Sequence, residues 1–201
     1  MPQTLMFRHK LSVKSFLNGK QIEGFDLREG HSWVRNAYNG QAFALLNATA
    51  AGGTFGDGFL NNKTTGGSLS TGMIGWNWAG GASAVTGIVV GTGSTAWTFE
   101  DYKLDTLIAH GNSADQLSYT ATDTRTDAFV GDVVTTTATR TFNNNSGGAI
   151  EINEVGLYTG IGGTSMLNRD VLVSPVSVPD AGQLVVTYQI SPPSTSSSSS
   201  P

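Results

Sequence analysis

Three observations predict an all-β fold, an antiparallel β-sandwich or jelly roll. Runs rich in Thr and Val alternate apolar and polar residues at 117–122, 132–142, 149–158, 166–173 and 183–190, the period of half-buried strands. Turn-forming clusters punctuate them at 143–148, 160–163 and 179–182. The composition also fits, with 26 Gly and only 13% charged residues in 201, so the polar faces are built from Thr, Ser and Asn. Short strands at this spacing pair antiparallel and pack as two layers.

The elements follow in order. Leu11, Val13 and Phe16 mark a short strand, Asn18-Gly19 a tight turn, and residues 21–25 its return, a small hairpin. Residues 31–46 carry Trp33, Ala37, Phe43 and Leu46 at a spacing that suits a partial helix, weakened by Gly40. Residues 47–87 are poor in charge and rich in Gly, Thr and Ser, yet hold Phe55, Phe59, Trp76 and Trp78. Such a stretch reads as irregular β structure or an arm ordered against another subunit. Residues 87–90 form an apolar strand. Thr98 and Asp101 then resemble a capping box, which predicts a short helix over 102–107.

The stretch 149–158 reads as a central strand. Ile150 and Ile152 share one face, but Val155 and Leu157 fall on the opposite parity. A strand that changes its buried face midway needs a β-bulge, expected at Asn153-Glu154. The terminal SPPSTSSSSSP reads as a flexible tail. The organisation expected is an N-terminal hairpin and Gly-rich arm over 1–86, a β-sandwich over 87–190 and a Ser/Pro-rich tail over 191–201.

With no Cys, neither a disulfide nor a thiolate metal site can form. A net charge of -4 argues against general nucleic-acid binding. The charge is uneven: residues 1–35 carry a surplus of three positive charges, and the rest a surplus of seven negative ones. That asymmetry suits docking of the N-terminal part on a second copy or an acidic partner. No apolar run of about 18 residues predicts a membrane span. The basic N-terminus lacks the apolar core of a secretory signal.

Candidate chemistry is sparse. The stretch 87–96, GIVVGTGSTA, matches the dinucleotide fingerprint, but Trp97 and Thr98 stand where a helix must begin, so a tight turn is expected and no cofactor. The histidines His9, His31 and His110 lie far apart, and no Ser sits in a G-x-S-x-G elbow. His110 before Gly111 suggests a helix end. Asp101 with Asp105, and Glu151 with Glu154, are carboxylate pairs, but their spacing establishes no sugar cleft. No D-x-D-x-D-G loop marks a calcium site, so no metal is expected. Trp97 reads as a core residue. Trp76 and Trp78 suit either an interface or a sugar-stacking platform. The interface residues expected are Arg8, Lys10, Trp33, Phe55, Phe59, Trp76 and Trp78.

A family resemblance runs through residues 87–190. It rests on Gly91-Thr92-Gly93, Asp101-Tyr102-x-Leu104, Glu154-Val155-Gly156-Leu157-Tyr158, Leu167-x-Arg169-Asp170 and Gly182-Gln183-Leu184-x-Val186-x-Tyr188-x-Ile190. This ordered set resembles a recurrent module in structural proteins of tailed bacteriophages. The resemblance implies a non-enzymatic component of the virion, assembled in the host cytoplasm, with other virion proteins and further copies of itself as partners. Capsid decoration is the first expectation, and a tail, neck or fibre-attachment part the second. A module that binds host carbohydrate through Trp76 and Trp78 is the reading from a different class.

Overall fold

The computed structural model describes residues 8–30, 32–34, 37–38, 82–122, 126–130, 133–159 and 165–192. Its strands are β1 (Arg8–Leu17), β2 (Lys20–Gly30), β3 (Gly87–Gly91), β4 (Ser118–Thr122), β5 (Thr126–Val130), β6 (Val133–Asn143), β7 (Ile150–Thr159), β8 (Ser165–Val178) and β9 (Gln183–Ser191). They form a six-stranded sheet in the order β2-β1-β9-β6-β4, with β5 also on β6, and a three-stranded sheet β3-β7-β8. All strand pairs are antiparallel. The two sheets face each other across one core, to which Val13, Phe142, Leu184 and Val186 come from the first and Ile88, Ile152, Val155 and Val178 from the second.

The all-β expectation holds, and the alternation behind it is plain in β9, where Leu184, Val186, Tyr188 and Ile190 are buried and the residues between them are not. The hairpin turn forms with Asn18 at φ 52° and Gly19 at φ 77°, the left-handed pair that a two-residue connection needs. The sequence reading set this hairpin apart from the sandwich. Instead β1 inserts between β2 and β9, from Arg8 opposite Ser191 to Phe16 opposite Gln183. The reason is its inward row of His9, Leu11, Val13 and Ser15, all buried. Two of those four are polar, which hid the strand's true length and place.

The phase change in β7 is present. Ile152 pairs with Val176 and Glu154 with Val171, so the register slips between them. The extra residues lie on β8, which bulges out over 172–175 and leaves Val173 96% exposed. After the slip Val155 and Leu157 turn to the core, and Glu154, Gly156 and Tyr158 turn to the sheet's other face.

That other face is covered by 92–108. The helix expected over 102–107 does not form. The amides of Leu104, Asp105 and Thr106 donate to Tyr158 and Glu154 rather than to carbonyls four residues back. Leu107 then bridges Gly91, and Ile108 N donates to Val90 O, so the segment closes the outer edge of β3. The predicted Thr98–Asp101 interaction does exist, with Thr98 N and Oγ1 both donating to the Asp101 carboxylate. It caps a turn, not a helix. Of residues 31–46 the structure describes Ser32–Val34 and Ala37–Tyr38, the last two with helical backbone.

Candidate functional site

Two polar networks occupy opposite faces of the three-stranded sheet, and the adjacent residues Arg169 and Asp170 of β8 divide them. Consecutive strand residues point to opposite faces. Arg169 therefore turns out beneath 92–106, and Asp170 turns in toward the six-stranded sheet.

On the outer side, Arg169 Nε donates to Glu154 Oε2 at 2.7 Å and Nη1 to Asp101 Oδ2 at 2.8 Å. Its Nη2 donates to Thr95 O at 3.1 Å. Glu154 is fully buried, and its carboxylate also accepts the amides of Gly93 at 3.2 Å, Thr106 at 2.8 Å and Asp105 at 3.1 Å. Burial opposes the charge on Arg169, but hydrogen bonds and charges from Asp101 and Glu154 outweigh it and raise its pKa further. Gly91 and Gly93 lie so close that a Cβ on either would stand 2.5 Å from Glu154 Oε1. Burial pushes the Tyr158 hydroxyl up to about 12 while it accepts Leu104 N at 2.7 Å.

On the inner side, Asp170 gathers three side chains. Its carboxylate receives Tyr188 Oη at 2.9 Å, His9 Nε2 at 3.1 Å and the Ser32 hydroxyl. Asn168 Oδ1 also lies 2.9 Å from Tyr188 Oη. Burial, then the Asp170 charge, raise the Tyr188 pKa well above the ordinary tyrosine value. Residues 32–34 lie along the edge of β8, with Val34 N on Leu167 O and Arg169 N on Ser32 O. The network thus joins β1, β8, β9 and this short segment.

Ser32, His9 and Asp170 are the residue types of a hydrolase triad but not its order. In a triad the histidine stands between serine and carboxylate and takes the serine proton. Here Asp170 stands in the middle, Ser32 and His9 each bind it, and all three are buried. The Ser32 hydroxyl is thus held by a carboxylate and not by an imidazole.

A third charged group, Arg140 of β6, is buried between Ala138 and Phe142 on the inward row. It donates from Nε to Thr120 O, from Nη1 to Thr86 O and Ile88 O, and from Nη2 to Ser83 O, at 2.7–2.9 Å. It thereby ties β6 to β3 and to the segment before it.

Of the expected interface residues, the structure describes Arg8, Lys10 and Trp33. Arg8 and Lys10 are exposed on β1, and Lys10 lies 3.4 Å from Glu29. Trp33, expected at an interface, is 5% exposed, packs edge-on against His9 and bridges Asn168. Phe55, Phe59, Trp76 and Trp78 lie outside the described residues. Trp97, read as core, is 36% exposed and donates to Ser32 O at 3.1 Å. His110 ends no helix: its Nδ1 accepts Tyr119 N at 3.0 Å beside a bridge to Leu117. The carboxylate pairs also separate, with Glu151 exposed and Glu154 buried, and with Asp101 on Arg169 while Asp105 offers only its amide to Glu154. After Gly91-Thr92-Gly93 no helix begins, and the Gly93 amide serves Glu154.

Sequence reasoning singled out Glu154 as half of a carboxylate pair and missed its true partner, Arg169. It also missed His9, Ser32, Asn168 and Arg140. A charged or amide side chain on the apolar parity of a strand, as Arg140 sits between Ala138 and Phe142, would have revealed them. No family model, curated protein or solved structure matches this chain.

Proposed function

We propose that this chain is a non-enzymatic structural component of a tailed-bacteriophage virion, placed first on the capsid as a decoration protein. One observation supports a structural role above the others. The polar residues of the phage-like motif are spent on holding the fold: Gly91, Gly93, Asp101, Glu154 and Arg169 fasten 92–106, and Asp170 fastens β1, β9 and residues 32–34. A motif that recurs for catalysis would present such groups to a cleft, with at least one lone pair or proton free. Glu154 instead has four donors on its two oxygens.

The test is gold-labelled antibody imaging of particles from the source. Label spread over heads is the expected result. Label confined to the tail or neck would move the protein to that part of the particle and end the decoration reading. Particles without label would overturn the virion role.

A further inference from the structure

We infer that the cavity among the hairpin turns at one end of the six-stranded sheet binds a neutral saccharide unit through Asn143, Asn145 and Gln183. The inference goes beyond the virion reading and does not depend on it, and it calls on neither Trp76 nor Trp78. The cavity holds about 330 Å³, at the lower end of the range for small-ligand sites. Three connections converge on it: β1 to β2 at Asn18-Gly19, β6 to β7 after Asn143, and β8 to β9 before Gln183. Among the described residues that line it none is charged, and the carboxamides of Asn18, Asn143, Asn145 and Gln183 predominate, with Phe16 beside them.

Strand register sets these residues side by side. Gln183 of β9 lies opposite Phe16 of β1 on one side and Asn143 of β6 on the other. It turns to the outer face of the sheet, because its neighbour Leu184 turns into the core. Gln183 Nε2 donates to Asn143 Oδ1 at 2.9 Å. A carboxamide carries an NH2 donor group and a carbonyl acceptor, so the pair still presents the NH2 of Asn143 and the carbonyl oxygen of Gln183. Turning both amides end for end leaves the same set, one donor beside one acceptor. Asn145 Nδ2 donates to Asn112 Oδ1 at 3.3 Å, which leaves Asn145 Oδ1 to accept.

The walls are fixed in advance. Asn144, between two of these amides in sequence, is fully buried and donates from Nδ2 to Gly148 O and Val178 O, each at 2.7 Å. Its backbone amide donates to Gly182 O at 2.9 Å, and Asp180 Oδ1 accepts Gly147 N at 2.9 Å. The β6–β7 turn is thus tied to the β8–β9 turn, and a pre-formed site loses less entropy on binding. The donor set then selects the ligand. With no charged group, the cavity offers little to offset the desolvation of a phosphate, a carboxylate or a metal ion. An apolar molecule would leave the amides without partners. A sugar hydroxyl both donates and accepts, so two vicinal hydroxyls answer the adjacent donor and acceptor of Asn143 and Gln183.

The test is NMR titration of the full chain with the methyl glycosides of glucose, galactose, mannose and N-acetylglucosamine, read at the side-chain amide signals. A neutral-glycan array run beside it tells a free sugar from the end of a longer glycan. At least one glycoside is expected to shift the Asn143, Asn145 and Gln183 amide signals saturably. Gln183→Ala and Asn145→Ala, both at exposed side chains, are expected to weaken binding about three- to tenfold, the worth of one net hydrogen bond, with an unchanged unfolding midpoint. Gln189→Ala, which removes an amide further along the same strand, should bind as wild type does. Array binding that Gln183→Ala weakens, with no response to the free glycosides, supports the site with a glycan end as its ligand. Silence in both assays overturns the proposal. So does binding that Gln183→Ala and Asn145→Ala leave unchanged, or tighter binding of methyl glucuronate, which is charged, or of N-acetylalanine methylamide, a peptide unit.

Discussion

Glu154 Oε2 stands 2.7 Å from Arg169 Nε, and neither side chain reaches water, at 0% and 3% exposure. A buried ion pair contributes little relative to a well-packed apolar pair, but breaking one is costly because the remaining charge stays buried. Glu154→Gln removes the charge and turns an amide NH2 toward groups that all donate: Gly93, Asp105 and Thr106 N–H and the Arg169 guanidinium. The expected loss is about 3–5 kcal/mol in urea unfolding. Arg169→Met is expected to cost a similar amount. The double variant Glu154→Leu/Arg169→Met is expected to lose less than the two single changes together, because the sites are coupled.

Asp101 gives this network a pH dependence with a defined sign. Burial raises its pKa, but hydrogen bonds from Thr98 and Arg169 and the Arg169 charge outweigh burial and hold it below the ordinary aspartate value. A carboxyl whose pKa is lower in the folded state binds protons more readily when unfolded. Its stabilisation is complete above the unfolded pKa, about 4, and is lost as pH falls through the folded value. Asp101→Asn is therefore expected to be less stable than wild type at neutral pH. The gap should close between about pH 5 and pH 2 in urea titrations. A gap that widens toward acid would contradict this assignment.

The strands were legible in the sequence because their burial follows the period of two, as in β9. The change of buried face in β7 was legible for the same reason, since Ile150 and Ile152 against Val155 and Leu157 is a pattern a regular strand cannot bury. But the extra residues lie on the partner strand β8 at 172–175 and not at Asn153-Glu154, because register is shared between two strands and the sequence of one does not say which carries the excess. What misled was local capping chemistry. Thr98 and Asp101 make the hydrogen bonds of a helix start, but Glu154, distant in sequence, takes the amides that follow. No local rule contains a partner 48–61 residues away. The same limit hid the site: that Arg169 and Asp170 serve opposite faces of β8 follows only once their distant partners Glu154, Asp101, His9 and Tyr188 are known. β5 escaped notice because TDAFV is short and Thr126–Phe129 are all exposed, so no buried face imposes an alternation on them.

Gly93 is required by close approach. A Cβ there would run into the Asp105 side chain and stand 2.5 Å from Glu154 Oε1 and 2.9 Å from Thr106 N. Gly93→Ala therefore pushes 105–106 off the Glu154 carboxylate and is expected to cost about 1–3 kcal/mol. Gly148→Ala is the matched control, since nothing lies within 4 Å of its Cβ position. Its effect should stay within about 0.5 kcal/mol. Chemical denaturation of the two variants side by side separates steric crowding from a general effect of losing a glycine.

Arg140 donates to the carbonyls of four residues on three separate stretches of chain. Ser83, Thr86, Ile88 and Thr120 each give it a carbonyl oxygen, and its guanidinium lies 4.9 Å from the centre of the Tyr119 ring. Burial lowers its pKa to about 10, a shift that the neighbouring Tyr119 opposes without reversing. Arginine remains charged at neutral pH under that cost, whereas lysine, which starts about two units lower, comes near to losing its proton in the same place. Lysine also carries three donors on one atom and lacks the planar fork that spans carbonyls of separate segments. Arg140→Lys and Arg140→Met are thus both expected to be destabilised by about 3 kcal/mol or more, since each leaves buried carbonyls unpaired. Hydrogen exchange of the β3 amides should accelerate in both. A methionine variant as stable as wild type would mean that water reaches these carbonyls, and that the guanidinium fastens β6 to β3 no more firmly than solvent does.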